Sequence, residues 1–276
     1  MSNTAKDSCH LDRSFIYSKN FGTIYLIFVT VILPVIAIYI NIDYFKGKSE
    51  QDYFCPSVAY VVLILIPYII ISKSAEKHAT KNMKIISDWL NLSFYPEGKE
   101  DLIYDLSYGY ISNEMIGEHN GYSFSIYDNH SNEETEDYPP ANQTIIHFKC
   151  EKTYFPQFEL RPKGVFDKAF LTTEELKSEE LDAVVLAEHE NFLKSYTLKA
   201  GNKSEILKLF DLQIIDLIEE QKKISILANK HEMQIFKENV YLNPQEPEEW
   251  NSFKTTGLKI FDAFQGSCQN TGSRDY

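Results

Sequence analysis

The chain has 276 residues, with 27 lysines and arginines against 40 aspartates and glutamates, for a net charge of −13. That balance argues against a nucleic-acid partner, because binding phosphate backbones needs a basic surface that displaces counterions. Cysteines stand at 9, 55, 150 and 268 with no C-x-x-C spacing, which argues against the common zinc and dithiol motifs.

Two stretches carry no charge at all. The first runs from Asn20 to Ile42, 23 residues between Lys19 and Asp43; the second runs from Tyr53 to Ser72, 20 residues between Asp52 and Lys73. A helix needs roughly 20 apolar residues to cross a bilayer core, so both are expected to span a membrane. Pro34 and Pro67 lie inside them, a position that membrane helices tolerate better than soluble ones. Tyr25, Tyr39, Tyr60 and Tyr68 lie towards the ends, where amphipathic rings favour the interface. The first stretch is too long for the apolar core of a cleaved signal peptide, and a second follows it.

The flanks set the orientation. Lys6, Arg13 and Lys19 precede the first span, and Lys73, Lys77, Lys81 and Lys84 follow the second against one acid, Glu76. The short connection 43–52 holds only Lys46 and Lys48. Basic residues mark the cytoplasmic side. The arm 1–19 and everything after 72 are therefore expected in the cytoplasm, with 43–52 outside. From residue 85 onward the charge reverses to 18 lysines and arginines against 34 acids, a net of −16. The four lysines should form a collar at anionic headgroups, above an acidic domain.

The expected domain covers 73–264, with a disordered tail at 265–276. Its first element is a helix over 75–92, with Met83, Ile86, Trp89 and Leu90 near helical spacing. The period then changes to two. Residues 111–118, 122–128 and 144–151 read as strands, and Asn120-Gly121 signals a two-residue hairpin turn. Residues 129–142 form an acidic, proline-containing loop, and 155–162 another strand. Glu190–Leu198 reads as a strand. Ser204 is expected to cap a helix with a stripe of Leu207, Phe210, Ile214 and Leu217. Residues 223–237 alternate around a turn at Asn229-Lys230. Pro247 opens a last helix, 247–264, with Trp250, Phe253, Ile260, Phe261 and Phe264 on one side. The fold class is α+β: two N-terminal transmembrane helices, then a cytoplasmic domain with a mostly antiparallel sheet and packing helices.

The chain contains no phosphate-binding glycine loop, nucleophile elbow or H-E-x-x-H. His189-Glu190 and His231-Glu232 are bare pairs without a second histidine four residues on. The nearest approach to chemistry is around EHNGYSFSIYDNH, residues 118–130. His119 belongs at the hairpin turn, about 20 Å from Asp128 and His130 at roughly 3.3 Å per residue, so it cannot share a small site with them. Asp128, His130 and His147 could meet only in a favourable register. The expected reading is polar residues closing a hairpin and mostly solvated, with no catalytic residue, cofactor or metal. Arg161, the one arginine inside the domain, is a candidate anion or partner contact, set against an ion pair with a nearby acid.

The segments WLNLSFYPEG, GYISNEMIGEHNGYSFSIYDNH, QTIIHFKC and FPQFELRP resemble those of a group of uncharacterised bacterial membrane-anchored proteins. The resemblance covers about 75–264. It implies a bacterial α+β cytoplasmic domain tethered by a helical hairpin, and it brings no catalytic residues. This chain has asparagine and histidine where aromatic residues usually follow the equivalent of Asp128. The expectation is a multi-pass protein of the bacterial inner membrane. Its partners would be the lipid bilayer and another protein at the cytoplasmic face, and it would act as a non-enzymatic interaction module. An enzyme with a site near Asp128, His130 and His147, and an accessory or immunity-type protein acting through its two spans, stay open beside it.

Overall fold

The computed structural model describes residues 73–74, 77–99, 110–130, 142–163, 181–184, 186, 190–221 and 223–272. The expected spans 20–42 and 53–72, the arm 1–19 and the loop 43–52 lie outside them. No helix among the described residues is long and apolar enough to cross a membrane. The chain divides into two compact units, 1–85 and 86–276. A helix, α1, runs over 77–89. Lys77, Lys81 and Lys84 are exposed on it, as is Lys73 before it. At 3.6 residues per turn the three helical lysines fall within an arc of about 60°, so they make one stripe.

The second unit is built on a nine-stranded sheet in the order β1-β2-β3-β4-β9-β8-β5-β7-β6, with every pairing antiparallel. The strands are β1 Ser93–Tyr95, β2 Tyr110–His119, β3 Tyr122–His130, β4 Asn142–Lys149 and β5 Phe155–Pro162, then β6 Asp182–Ala183, β7 Tyr196–Ala200, β8 Ser225–Lys230 and β9 Glu232–Phe236. Among the described residues four helices accompany them: α2 Glu190–Ser195, α3 Lys203–Leu209, α4 Leu212–Gln221 and α5 Pro247–Gly272. The fold class is thus α+β with a large antiparallel sheet and packing helices.

The β2–β3 turn forms where the sequence places it. Asn120 and Gly121 have φ of 52° and 81°, the left-handed pair that a tight hairpin needs. Strand alternation puts Phe124, Ile126, Ile146 and Phe148 on the face that α5 covers. Phe148 stacks on Phe261 at 4.2 Å and Phe158 on Phe264 at 5.4 Å. Gly257 lets the helix approach closely, since a Cβ there would lie 2.8 Å from Ile146 Cγ2. Trp250 is fully buried, and its Nε1 donates to the Asn243 carbonyl at 3.0 Å. The opposite face carries a smaller apolar cluster of Tyr127, Ile145, Leu227 and Phe236.

Several local expectations change. Glu190–Leu198 is not one strand: α2 fills its first part, because residues 190–195 lack the β-branched side chains that favour strand, and β7 starts at Tyr196. The cap of α3 is Asn202, whose side chain accepts from the Ser204 and Glu205 amides. The expected single helix after it is two. Asp211 Oδ1 accepts from the Ile214 amide at 2.9 Å and starts α4 afresh. The break turns Leu207 outward while Ile214 stays buried. In the second hairpin Asn229 pairs with Glu232, so the turn residues are Lys230 and His231, one position later than expected. Helix α5 continues to Gly272, into the segment expected to be a disordered tail.

Candidate functional site

At the end of the β2–β3 hairpin away from its turn, a polar cluster occupies the sheet face that α5 covers further along. Register brings Tyr110 opposite His130, Ser112 opposite Asp128, and Thr144 beside Asp128 on β4. A shift in the β2–β3 register between Ser112 and Met115 accompanies Asn113 at a φ of 53°, which asparagine tolerates better than most residues. Tyr241 arrives from the segment after β9. That segment is held by the Thr144 amide donating to Val240 O at 2.9 Å and the Leu242 amide donating to Thr144 Oγ1 at 3.0 Å.

Asp128 is only 8% exposed. Thr144 Oγ1 donates to its Oδ1 at 2.6 Å, and Asn113 Nδ2 to its Oδ2 at 2.9 Å. Burial pushes its pKa up to about 6, and those two donors offset burial only in part. His130 has both ring nitrogens engaged: Nε2 lies 2.8 Å from Ser112 Oγ, and Nδ1 contacts the Tyr241 hydroxyl. Its ring stacks on Tyr110 at 4.5 Å and meets Tyr241 at 5.1 Å. Burial lowers the His130 pKa and so favours the neutral ring. The Tyr241 hydroxyl also lies 3.2 Å from Asn142 Oδ1 and 3.3 Å from the Asn129 carbonyl. Burial, then the nearby Asp128 and Tyr110, raise its pKa. A hydroxyl–imidazole–phenol chain of this kind can pass a proton. With Nε2 accepting from Ser112, Nδ1–H donates to the Tyr241 oxygen.

His147 does not join the cluster. It stands opposite Ser125, on the other face, 3.4 Å from Glu232 Oε2. The expected trio is therefore split: Asp128 and His130 come together and His147 does not. The expectation that all three are solvated is also corrected. Asp128 and His147 are buried: neighbouring strands and the Tyr241 segment enclose Asp128 at the open end, and His147 lies inside β4 between β3 and β9 on the other face. His119 lies at the turn end and pairs with Asp262 of α5 at 2.9 Å. Arg161 is buried, with Nε against Glu159 and Nη1 3.1 Å from Glu238 Oε1, so its guanidinium faces two carboxylates of its own domain. Among the described residues no group of His, Cys, Asp and Glu is placed to hold a metal ion.

Sequence reasoning missed Ser112, Asn113, Thr144 and Tyr241. The run Ser112-Asn113-Glu114 breaks the alternation of β2, a visible sign of an irregularity. Nothing local marks Tyr241, which meets His130 only through the fold.

No family model and no curated protein matches the chain. Among solved structures, the crystal structure of the mycobacterial trehalose monomycolate transport factor A, TtfA, is similar over 67% of this chain and 93% of its own, at 11% identity and a TM-score of 0.45.

Proposed function

We propose that the chain is a multi-pass protein of the bacterial inner membrane, with spans at 20–42 and 53–72 and both termini cytoplasmic. Its α+β domain serves there as a non-enzymatic protein-interaction module. The observation that carries this reading is the pair of uncharged stretches followed by basic residues that stand exposed: Lys73 ahead of α1, and the stripe of Lys77, Lys81 and Lys84 on it. Such a stripe suits an anionic membrane surface, at about 1 kcal/mol per lysine. The acidic domain beyond it suits contact with a protein rather than with lipid or nucleic acid. A membrane-impermeant thiol reagent applied to intact cells should label Cys55, beside the outside loop, and spare Cys150 and Cys268. Labelling of single-cysteine variants at 150 or 268 from outside would overturn the topology.

A second reading, an acyl-transfer enzyme, is favoured by one observation, the 2.8 Å contact between Ser112 Oγ and His130 Nε2. In that reading His130 takes the Ser112 proton as the oxygen attacks an ester or thioester carbonyl, the bond to the alcohol or thiol breaks, and His130 returns the proton to that leaving group, so that Ser112 is left acylated. A fluorophosphonate probe that labels the wild type but neither Ser112→Ala nor His130→Asn would establish it. Absence of labelling in folded protein would remove it.

A further inference from the structure

We infer that the exposed aromatic stack of Tyr110, His130 and Tyr241 is the docking surface of this module, and that its partner is a protein presenting a basic, arginine-bearing segment. The inference rests on the interaction-module reading and gives that module a place and a ligand chemistry. Three features coincide at this one end of the sheet. The first is exposure: Tyr110 is 53% and Tyr241 40% accessible, with Val240 beside them, although large apolar side chains among the described residues of this domain are otherwise mostly buried. The second is rigidity. His130 is held from both ring nitrogens and stacked on Tyr110, so the rings are fixed before any partner arrives. Fixed aromatic rings supply contact area at low entropic cost.

The third is charge. From 242 to 253 the chain carries Glu246, Glu248 and Glu249 and no lysine or arginine, while Glu238 is taken up by Arg161. Glu246 and Glu249 are tied to Asn243, two residues from Tyr241, at 2.9 and 3.4 Å. These acids set the field without forming the contact surface. A negative field around exposed π faces selects a cation that is also planar and weakly hydrated, which describes guanidinium better than ammonium. The same field steers a basic partner in from a distance.

The test uses the full chain in phosphatidylcholine nanodiscs, whose zwitterionic lipid leaves the probe to the protein, with empty discs as the blank. The probe is a fluorescent octapeptide alternating arginine and glycine, against a glycine–serine peptide of equal length. The arginine peptide should bind and the neutral one should not. Tyr110→Ala should weaken binding about fivefold, Tyr110→Phe should retain it, and Tyr154→Ala, at an exposed tyrosine elsewhere, should leave it unchanged. Equal binding by wild type and Tyr110→Ala would overturn the inference, as would equal losses for Tyr110→Ala and Tyr154→Ala. A concentration-dependent doubling of mass that Tyr110→Ala abolishes would overturn it too, in favour of a second copy of this chain. Failure of peptide binding in a chain that inserts with the expected topology would sink the docking surface alone. Failure to insert would sink the membrane reading instead.

Discussion

The two ends of the β2–β3 hairpin each hold a histidine near an aspartate, yet they are built on different physics. At the turn end, His119 meets Asp262 on a half-exposed surface, and the neighbouring energy comes from rings: Tyr122, Phe148 and Phe155 all pack on Phe261. At the open end, α5 has given way to Tyr241 and its segment, and Asp128 and His130 sit within hydrogen bonds instead of rings alone. One end is an anchor whose ion pair is incidental. At the other, polar groups are the structure, and their protonation is part of its stability. The same residue types thus diverge according to what covers them.

The largest effect should come from the anchor. Phe261→Ala removes a fully buried ring that three others touch, and should destabilise by about 3–5 kcal/mol in urea unfolding. A loss below about 1 kcal/mol would mean that α5 does not hold the turn end. The next effect belongs to the open end and depends on pH. Because the folded state holds the Asp128 proton more tightly than the unfolded chain does, its contribution is fully present below about pH 4 and is lost as pH rises to about 6. Above that, burying the charge costs on the order of 3 kcal/mol, at about 1.4 kcal/mol per pKa unit. Asp128→Asn, uncharged throughout, should therefore gain stability relative to the wild type between pH 4.5 and pH 8. An identical difference at both pH values would show that the carboxyl titrates as it does in water. The smallest effect should be His119→Asn, at or below about 1 kcal/mol, since exposed ion pairs contribute little. A larger loss would move the anchor from the rings to the ion pair and erase the contrast between the two ends.

Much of the frame could be read directly. Asn120-Gly121 announced its turn because few residues accept two left-handed φ values in succession. Phe124 and Ile126, and the stripe from Trp250 to Phe264, announced the buried face because strand and helix periods separate sides. The breaks were harder. Asp211 restarts a helix through one side-chain hydrogen bond, and the apolar spacing on either side of it looks continuous.

The sequence by itself determined the uncharged stretches, the acidic domain, the hairpin and the apolar faces, because each depends on neighbours within a few residues. Only the tertiary structure decided what the polar ends became. It separated His147 from Asp128 and His130 by register, turned Arg161 to Glu159 and Glu238, and brought Tyr241 across 111 positions to His130. It did so because strand order and register set which side chains meet, and a hydrogen bond between distant residues leaves no period in the sequence for a reader to find.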